Sequence, residues 1–231
     1  MNKILLALLL TTTSASVLAN ESLNWNGPYV GANVGYGWGE QKFNALSFDG
    51  YSAPDVAYPT TNRNPNLDSA FGGIQTGYNF KMNNTLLGVD LGIVGGSFDA
   101  NYQSTTGNYS AKSEMNWIST VKAKVGMFVN DTLIYTNGGL ALGREKVDLY
   151  DNYEGVTINT SNSQTRTGWV IGLGVEHPIS NNITAKIDYQ HIDFGNQKFT
   201  LNEGGGDYWE SINVKTSDKF DILSIGLNYH F

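Results

Sequence analysis

Apolar and small polar residues alternate with a period of two along most of this chain, and the alternation runs to its last residue. The final stretch reads DILSIGLNYHF, with Leu223, Ile225, Leu227, Tyr229 and Phe231 at every second position. A period of two belongs to a strand with one apolar face, and an α-helix cannot place such residues on one side. The same pattern recurs upstream. Val30, Ala32, Val34, Tyr36 and Trp38 oppose Gly31, Asn33, Gly35 and Gly37, while Ile74, Thr76, Tyr78 and Phe80 oppose Gly73, Gln75, Gly77 and Asn79. Leu87, Val89, Leu91 and Ile93 oppose Gly88, Asp90 and Gly92. Met115, Trp117, Val121, Ala123, Val125 and Met127 oppose Asn116, Thr120, Lys122, Lys124 and Gly126. Trp169, Ile171, Leu173 and Val175 oppose Gly168, Gly172, Gly174 and Glu176, and Ile183, Ala185, Ile187 and Tyr189 oppose Thr184, Lys186, Asp188 and Gln190. TLIYTNGGLALG (132–143) reads as a further strand whose two faces are poorly distinguished, which makes eight in all.

The connections between these strands alternate in length. Lys81 to Asn84, the turn at Asn130, and Pro178 to Asn182 read as tight hairpin turns rich in Asn and Pro. Between them lie long segments, 39–68, 97–113, 145–164 and 195–217. Short turns at one end and long loops at the other are the plan of a barrel inserted through a membrane from one side. The N-terminus agrees with that route. Lys3 precedes an apolar run, Ile4 to Leu10, too short to span a bilayer, and Val17-Leu18-Ala19 forms a small-residue cleavage site. The expected organisation is a signal peptide at 1–19, a periplasmic lead at 20–27 and a barrel at 28–231.

An up-and-down barrel can bury its apolar face inward, as a soluble carrier does, or turn it outward to lipid. The polar face here is built from Gly, Asn, Gln and Thr with few charges, whereas a strand face washed by water ordinarily carries Lys and Glu. Charged residues make up only 15% of the chain, against about 25% in soluble domains. The bore of an eight-stranded barrel is narrow and filled by side chains, which suits repeated glycines. Aromatics near the strand ends, among them Trp38, Tyr78, Phe80, Trp117, Trp169, Tyr189 and Tyr229, suit interfacial girdles. The fold class is therefore all-β, an eight-stranded antiparallel up-and-down transmembrane β-barrel with long extracellular loops. Its expected location is the bacterial cell outer membrane. In hydrocarbon an unpaired strand edge costs several kcal/mol per amide, so the last strand should pair with the first. The formal charge of −7, without any basic run, disfavours nucleic acid as a partner, and the absence of cysteine removes disulfides and thiolate metal sites.

WNGPYVGANVGYGWG, WISTVKAKVGMF, LIYTNGGLALG, GWVIGLGVEHPISNNITAKIDYQHIDFG and the final GLNYHF are similar to the small porin-family outer-membrane β-barrel proteins, which include major surface antigens and opacity-like and haemin-binding members. The resemblance covers essentially the whole mature chain and is strongest at the strands. It implies the barrel and its outer-membrane address, and it carries over no catalytic residue. The terminal strand, Leu223, Ile225, Leu227, Tyr229 and Phe231, resembles the signal read by the outer-membrane assembly machinery. Haemin-binding relatives make His191, with loop tyrosines, the one haem ligand to consider; the expectation is that the chain binds no cofactor.

Six charges share the inward parity: Asp90, Lys122, Lys124, Glu176, Lys186 and Asp188. Three acids and three bases in a narrow bore need one another, because an unpaired buried charge costs several kcal/mol. They read as a salt-bridged plug, or alternatively as a selectivity filter. No His-x-x-x-His spacing is present, and Asp148, Asp151 and Glu154 lack the ligand density of a calcium loop. His191, Asp193 and Ser211 can be drawn together as a hydrolytic group, but no nucleophile motif marks any serine, so no enzyme is expected. Tyr150, Tyr153, Tyr208 and Trp209 fall in the long segments and are candidate contacts for a host or extracellular ligand. The remaining expected partners are outer-membrane lipid and lipopolysaccharide, and the expected unit is a monomer. The function expected is a structural, surface-exposed barrel that supports envelope integrity and presents its loops; the alternative is a narrow porin or haem-binding uptake protein.

Overall fold

A computed structural model describes the backbone of residues 23–49, 69–103, 109–153, 156–201 and 211–231. The expected signal peptide and part of the lead lie outside these residues. Eight strands follow one another: β1 (Gly27–Asp49), β2 (Ser69–Met82), β3 (Thr85–Gln103), β4 (Tyr109–Val129), β5 (Thr132–Tyr153), β6 (Val156–Pro178), β7 (Ile183–Leu201) and β8 (Ser211–His230). Each pairs antiparallel with the next, and β8 returns to β1 to close the barrel. The closing seam runs from Tyr29 opposite His230 to Asp49 opposite Ser211, so no edge faces lipid along it.

The turns have a local cause. Met82 pairs with Thr85, and Val129 pairs with Thr132, which leaves two residues for each reversal. Asn83 (φ 53°) and Asn130 (φ 56°) take the left-handed conformation that Asn tolerates better than most residues. At the third turn the amides of Ile179 and Ser180 both donate to the Ile183 carbonyl, at 2.8 and 3.1 Å.

Outward positions carry the apolar residues, with Val34, Ile74, Leu91, Val121, Leu173 and Ile225 all exposed. Hydroxyls on the same outer wall bond back to the backbone: Thr76 Oγ1 donates to the Tyr29 carbonyl at 2.9 Å and Thr136 Oγ1 to the Gly172 carbonyl at 2.8 Å. A lipid-facing hydroxyl without such a partner would be destabilising. β5, ambiguous in sequence, turns Ile134, Leu140 and Leu142 outward and Leu133, Tyr135, Asn137 and Ala141 inward.

Two expectations are corrected. Met115 lies inside the barrel, not on the outer face with Val121. A β-bulge between Met115 and Ile118 inserts an extra residue, and an odd insertion exchanges the two faces of a period-two pattern. The segments read as long loops are largely strand: β1 continues to Asp49, β5 reaches Tyr153, and β6 begins at Val156. Polar, charge-bearing sequence there obscures the alternation, because these strand ends have no apolar solvent to face. Above Trp169 the described wall divides, since β6–β7 pairing ends at Trp169 opposite Asp193 while both strands continue.

Candidate functional site: a filled lumen

Inward residues stack in four layers along the bore. The lowest is apolar: Leu86, Phe128, Leu133 and Tyr135 pack with Leu23 and Trp25 of the N-terminal lead. Trp25 is only 4% exposed, and its ring lies 5.0 Å from that of Phe128 and 5.5 Å from that of His230. The lead thus closes the turn-side mouth. Sequence reading makes it only a periplasmic lead, since two isolated apolar residues carry no period.

Above it lies the polar layer, and all six predicted charges point into it. Lys124 sits between two acids, 3.7 Å from Asp90 and 4.0 Å from Glu176. Its Nζ lies 4.7 Å from the centre of the Tyr29 ring and 3.4 Å from the Tyr29 hydroxyl oxygen. Glu176, 1% exposed, accepts from Thr184 Oγ1 at 2.5 Å and from Asn228 Nδ2 at 2.7 Å, with His230 Nε2 3.4 Å away. Lys186 pairs with Asp188 at 2.6 Å, and Tyr135 donates its phenol proton to the same Asp188 at 2.6 Å. Lys122 stands opposite Asp90 in the β3–β4 register. Glycine makes room for these large groups: a Cβ on Gly174 would come within 2.6 Å of both the Tyr135 ring and the Asp188 carboxylate. A chain of amides, Asn33 Nδ2 to Gln75 Oε1 at 2.9 Å and Gln75 Nε2 to Asn228 Oδ1 at 2.5 Å, ties β1, β2 and β8 across the bore.

The third layer is apolar again. Phe71, Met115, Ile118, Ala141, Val170, Ile192, Phe194, Phe220 and Ile222 form one buried cluster inside the barrel. Between it and the polar layer remains a cavity of about 30 Å³, lined by Asn33, Gln75, Asp90, Thr120, Lys122 and Lys186 among others. That is space on the scale of a water molecule or two, not a conduit. The top layer is an ion cluster: Arg166, fully buried, binds Glu145 at 2.5 Å and Asp218 at 2.7 Å. Neither the inner apolar cluster nor this triad is foreseen from sequence. Arg166 carries an inward parity continuous with Gly168 and Gly172, but Glu145 and Asp218 fall in stretches read as loop or loop edge.

The remaining predicted residues divide. Leu223, Ile225, Leu227, Tyr229 and Phe231 all stand on the outer wall, and the Phe231 amide donates to the Pro28 carbonyl at 3.2 Å. The side chains of Tyr150 and Tyr153, and all of Tyr208 and Trp209, lie outside the described residues. His191 faces outward, with Nδ1 donating to Asp221 at 2.8 Å. The hydrolytic grouping is taken apart by the register. His191 lies opposite Asp221, and Ser211 is ten residues further along β8, roughly 33 Å away at strand rise. Among the described residues no group of three His, Cys, Asp or Glu could hold a metal ion.

Residues 5–231 match the family described as outer membrane protein beta-barrel domain. The chain is 30% identical over 215 residues to the 31 kDa outer-membrane immunogenic protein of Brucella melitensis, covering 91% of this chain and 85% of that one. It is 24% identical over 209 residues to the 25 kDa outer-membrane immunogenic protein of Brucella abortus, covering 90% and 80%. Among solved structures, the outer membrane protein OprG from Pseudomonas aeruginosa superposes with a TM-score of 0.57 at 11% identity, covering 92% of this chain and all of that one. That last likeness is one of fold.

Proposed function

We propose, from the premise that the chain belongs to the outer membrane protein beta-barrel domain family, that it acts as a structural barrel that conducts nothing and displays its long strand ends outside the cell. The chain is an outer-membrane β-barrel protein, with lipid-facing residues on the outside of a closed eight-stranded wall. The observation that carries the reading is the filled bore. Two apolar layers bracket a salt-bridged one, and an ion cluster stands above them. An ion entering from either side would have to shed its water against Trp25 and Phe128 or against Phe71 and Phe194, which costs far more than thermal energy. The barrel has no catalytic role in this reading.

What such a barrel contributes is area and anchorage. It couples the two leaflets through its girdles and carries β1, β5 and β6 well beyond them, where a host or extracellular ligand can be met. The relatives from Brucella are named as immunogenic, which supports exposure of that end. The terminal strand, from Leu223 to Phe231, serves in addition as the segment by which the assembly machinery receives the chain. Planar-bilayer recording of the refolded barrel tests the central point. Sustained single-channel conductance would replace this reading with the porin one; silence, together with detergent sensitivity of a deletion strain, supports it.

A further inference from the structure

The two strands that part above Trp169 leave unlike edges. β6 and β7 pair from Pro178 opposite Thr184 to Trp169 opposite Asp193, and there the pairing ends. Beyond that level β6 still pairs with β5 as far as Val156, and β7 still pairs with β8 as far as Leu201. Among the described residues no strand pairs with the facing edges of 156–168 and 194–201. The break has a local cause. The β7–β8 register shifts between Asp193 and Asn196, Gly195 takes the left-handed conformation (φ 66°), and its amide donates to the Asp193 carboxylate at 2.7 Å. That bulge bends β7 and engages an amide at the start of its edge. β6 has no counterpart, for its register with β5 runs unshifted from Glu176 opposite Leu133 to Val156 opposite Tyr153.

An open strand edge is a row of backbone donors and acceptors, and proteins that leave one open guard it with lysine, proline or a bulge. β7 is guarded by its bulge and by Lys198. β6 is not. Residues 156–165, VTINTSNSQT, contain neither a charge nor a proline, and the next residue, Arg166, is buried in the bore. The edge starts at the girdle level of Trp169 and runs away from the hydrocarbon, so its amides stand in water, open to a partner. We infer that the β6 edge at 156–168 is a docking site for an extended segment of another protein outside the cell, added to β6 as an antiparallel strand. This rests on the reading that the long strand ends are displayed outside, and it names the class of partner they take. The chemistry selects that partner. Only an extended polypeptide offers donors and acceptors at the repeat of the edge, roughly 40 Å long at strand rise. With no charge on 156–165, neither an acidic nor a basic segment is preferred, and salt has little effect on docking. The many Thr and Ser residues favour an uncharged, β-branched partner across the new pair. A second barrel in the same membrane can offer its own β6 only parallel, the less stable pairing.

The test uses the full mature barrel, folded in detergent and checked by heat-modifiable migration on gels. The probe is a capped peptide of about ten residues, matched to the edge at strand rise, with alternating Thr and Val and a terminal Lys for solubility. Its control carries N-methyl groups on two adjacent central residues, which blocks both of its edges. Residue-resolved hydrogen exchange by NMR reads the site. In the free barrel alternate amides across 157–167 should exchange fast, because successive amides of a strand point to opposite neighbours. The peptide should slow that set at least about tenfold, and the N-methylated control should bind at least about tenfold more weakly. Of Ser163→Pro and Gln164→Pro, one removes a bond to β5 and the other an amide on the open side. The variant that keeps the wild-type gel shift and urea midpoint should lose the peptide. Wild-type binding by that variant, equal binding of the control, or slowing only in other strands overturns the assignment. So do edge amides already protected in the free barrel, by its own residues or by a second copy. The readout does not depend on conductance. A conducting barrel that still takes the peptide would refute the structural role and leave this site standing, and a silent barrel with a covered edge would do the reverse.

Discussion

Replacing Lys124 with Met removes the cation that stands between two buried acids while keeping most of the side chain's volume. In the native barrel its Nζ lies 3.7 Å from Asp90 and 4.0 Å from Glu176, and both acids are at least nine-tenths buried. Glu176 retains its bonds from Thr184 and Asn228 in the variant, but those donors are neutral and engage one oxygen only. Among the described residues Oε2 has no hydrogen-bond partner, and Lys124 Nζ lies 4.0 Å from it. Breaking a buried pair by deleting one member costs about 3–5 kcal/mol, because the charge left behind is uncompensated. The folding equilibrium should therefore fall at least a hundredfold. The assay is urea-dependent folding into lipid vesicles, followed by the fluorescence of the tryptophans and by the gel shift of the folded form. Lys124→Met/Glu176→Gln should be more stable than Lys124→Met alone, since the second change neutralises the orphaned acid. A loss under about 1 kcal/mol for the single variant, or strict additivity in the double, would refute the view that the polar layer is held by mutual charge compensation.

Two further outcomes follow from the lead and from the terminal strand. Trp25→Ala should destabilise the barrel by about 3–5 kcal/mol, as for other buried tryptophans, and should make the periplasmic mouth accessible to a water-soluble quencher; unchanged stability would mean that the lead is a passive tether. Removing Phe231 should leave export intact and slow insertion into the outer membrane, measured as periplasmic accumulation in pulse–chase; insertion at the normal rate would show that the terminal aromatic only completes the lipid face.

The barrel is legible in this sequence because lipid on one side and a narrow bore on the other impose a sharp two-residue period. Val30 to Trp38 and Leu223 to Phe231 can be read almost without context, and the inward parity of Asp90, Lys124 and Glu176 follows from the same rule. The rule fails where the environment stops being two-sided. Beyond the bilayer β5 and β6 no longer have lipid on one face, so Glu145, which points inward to Arg166, and Asp148 look like loop residues although both lie in strand. Inside the bore, the layer of Phe71, Ile192 and Phe220 is apolar on the inward parity, which alternation alone misassigns or overlooks. The bulge at Met115–Ile118 illustrates the third failure, because one inserted residue leaves composition unchanged and reverses the facing.

The orientation of the wall is what the whole account requires, and the absence of native cysteine makes it directly measurable. Single cysteines at Leu91, Val125 and Ile225, and at the inward Thr120, can each carry a nitroxide in vesicle-embedded protein. Collision rates with lipid-soluble oxygen and with a water-soluble nickel complex then report the surroundings. The first three sites should be relaxed by oxygen and shielded from nickel, and Thr120 should be shielded from both. Strong nickel access at Leu91, Val125 and Ile225 would contradict the account, since the apolar face would then be in water.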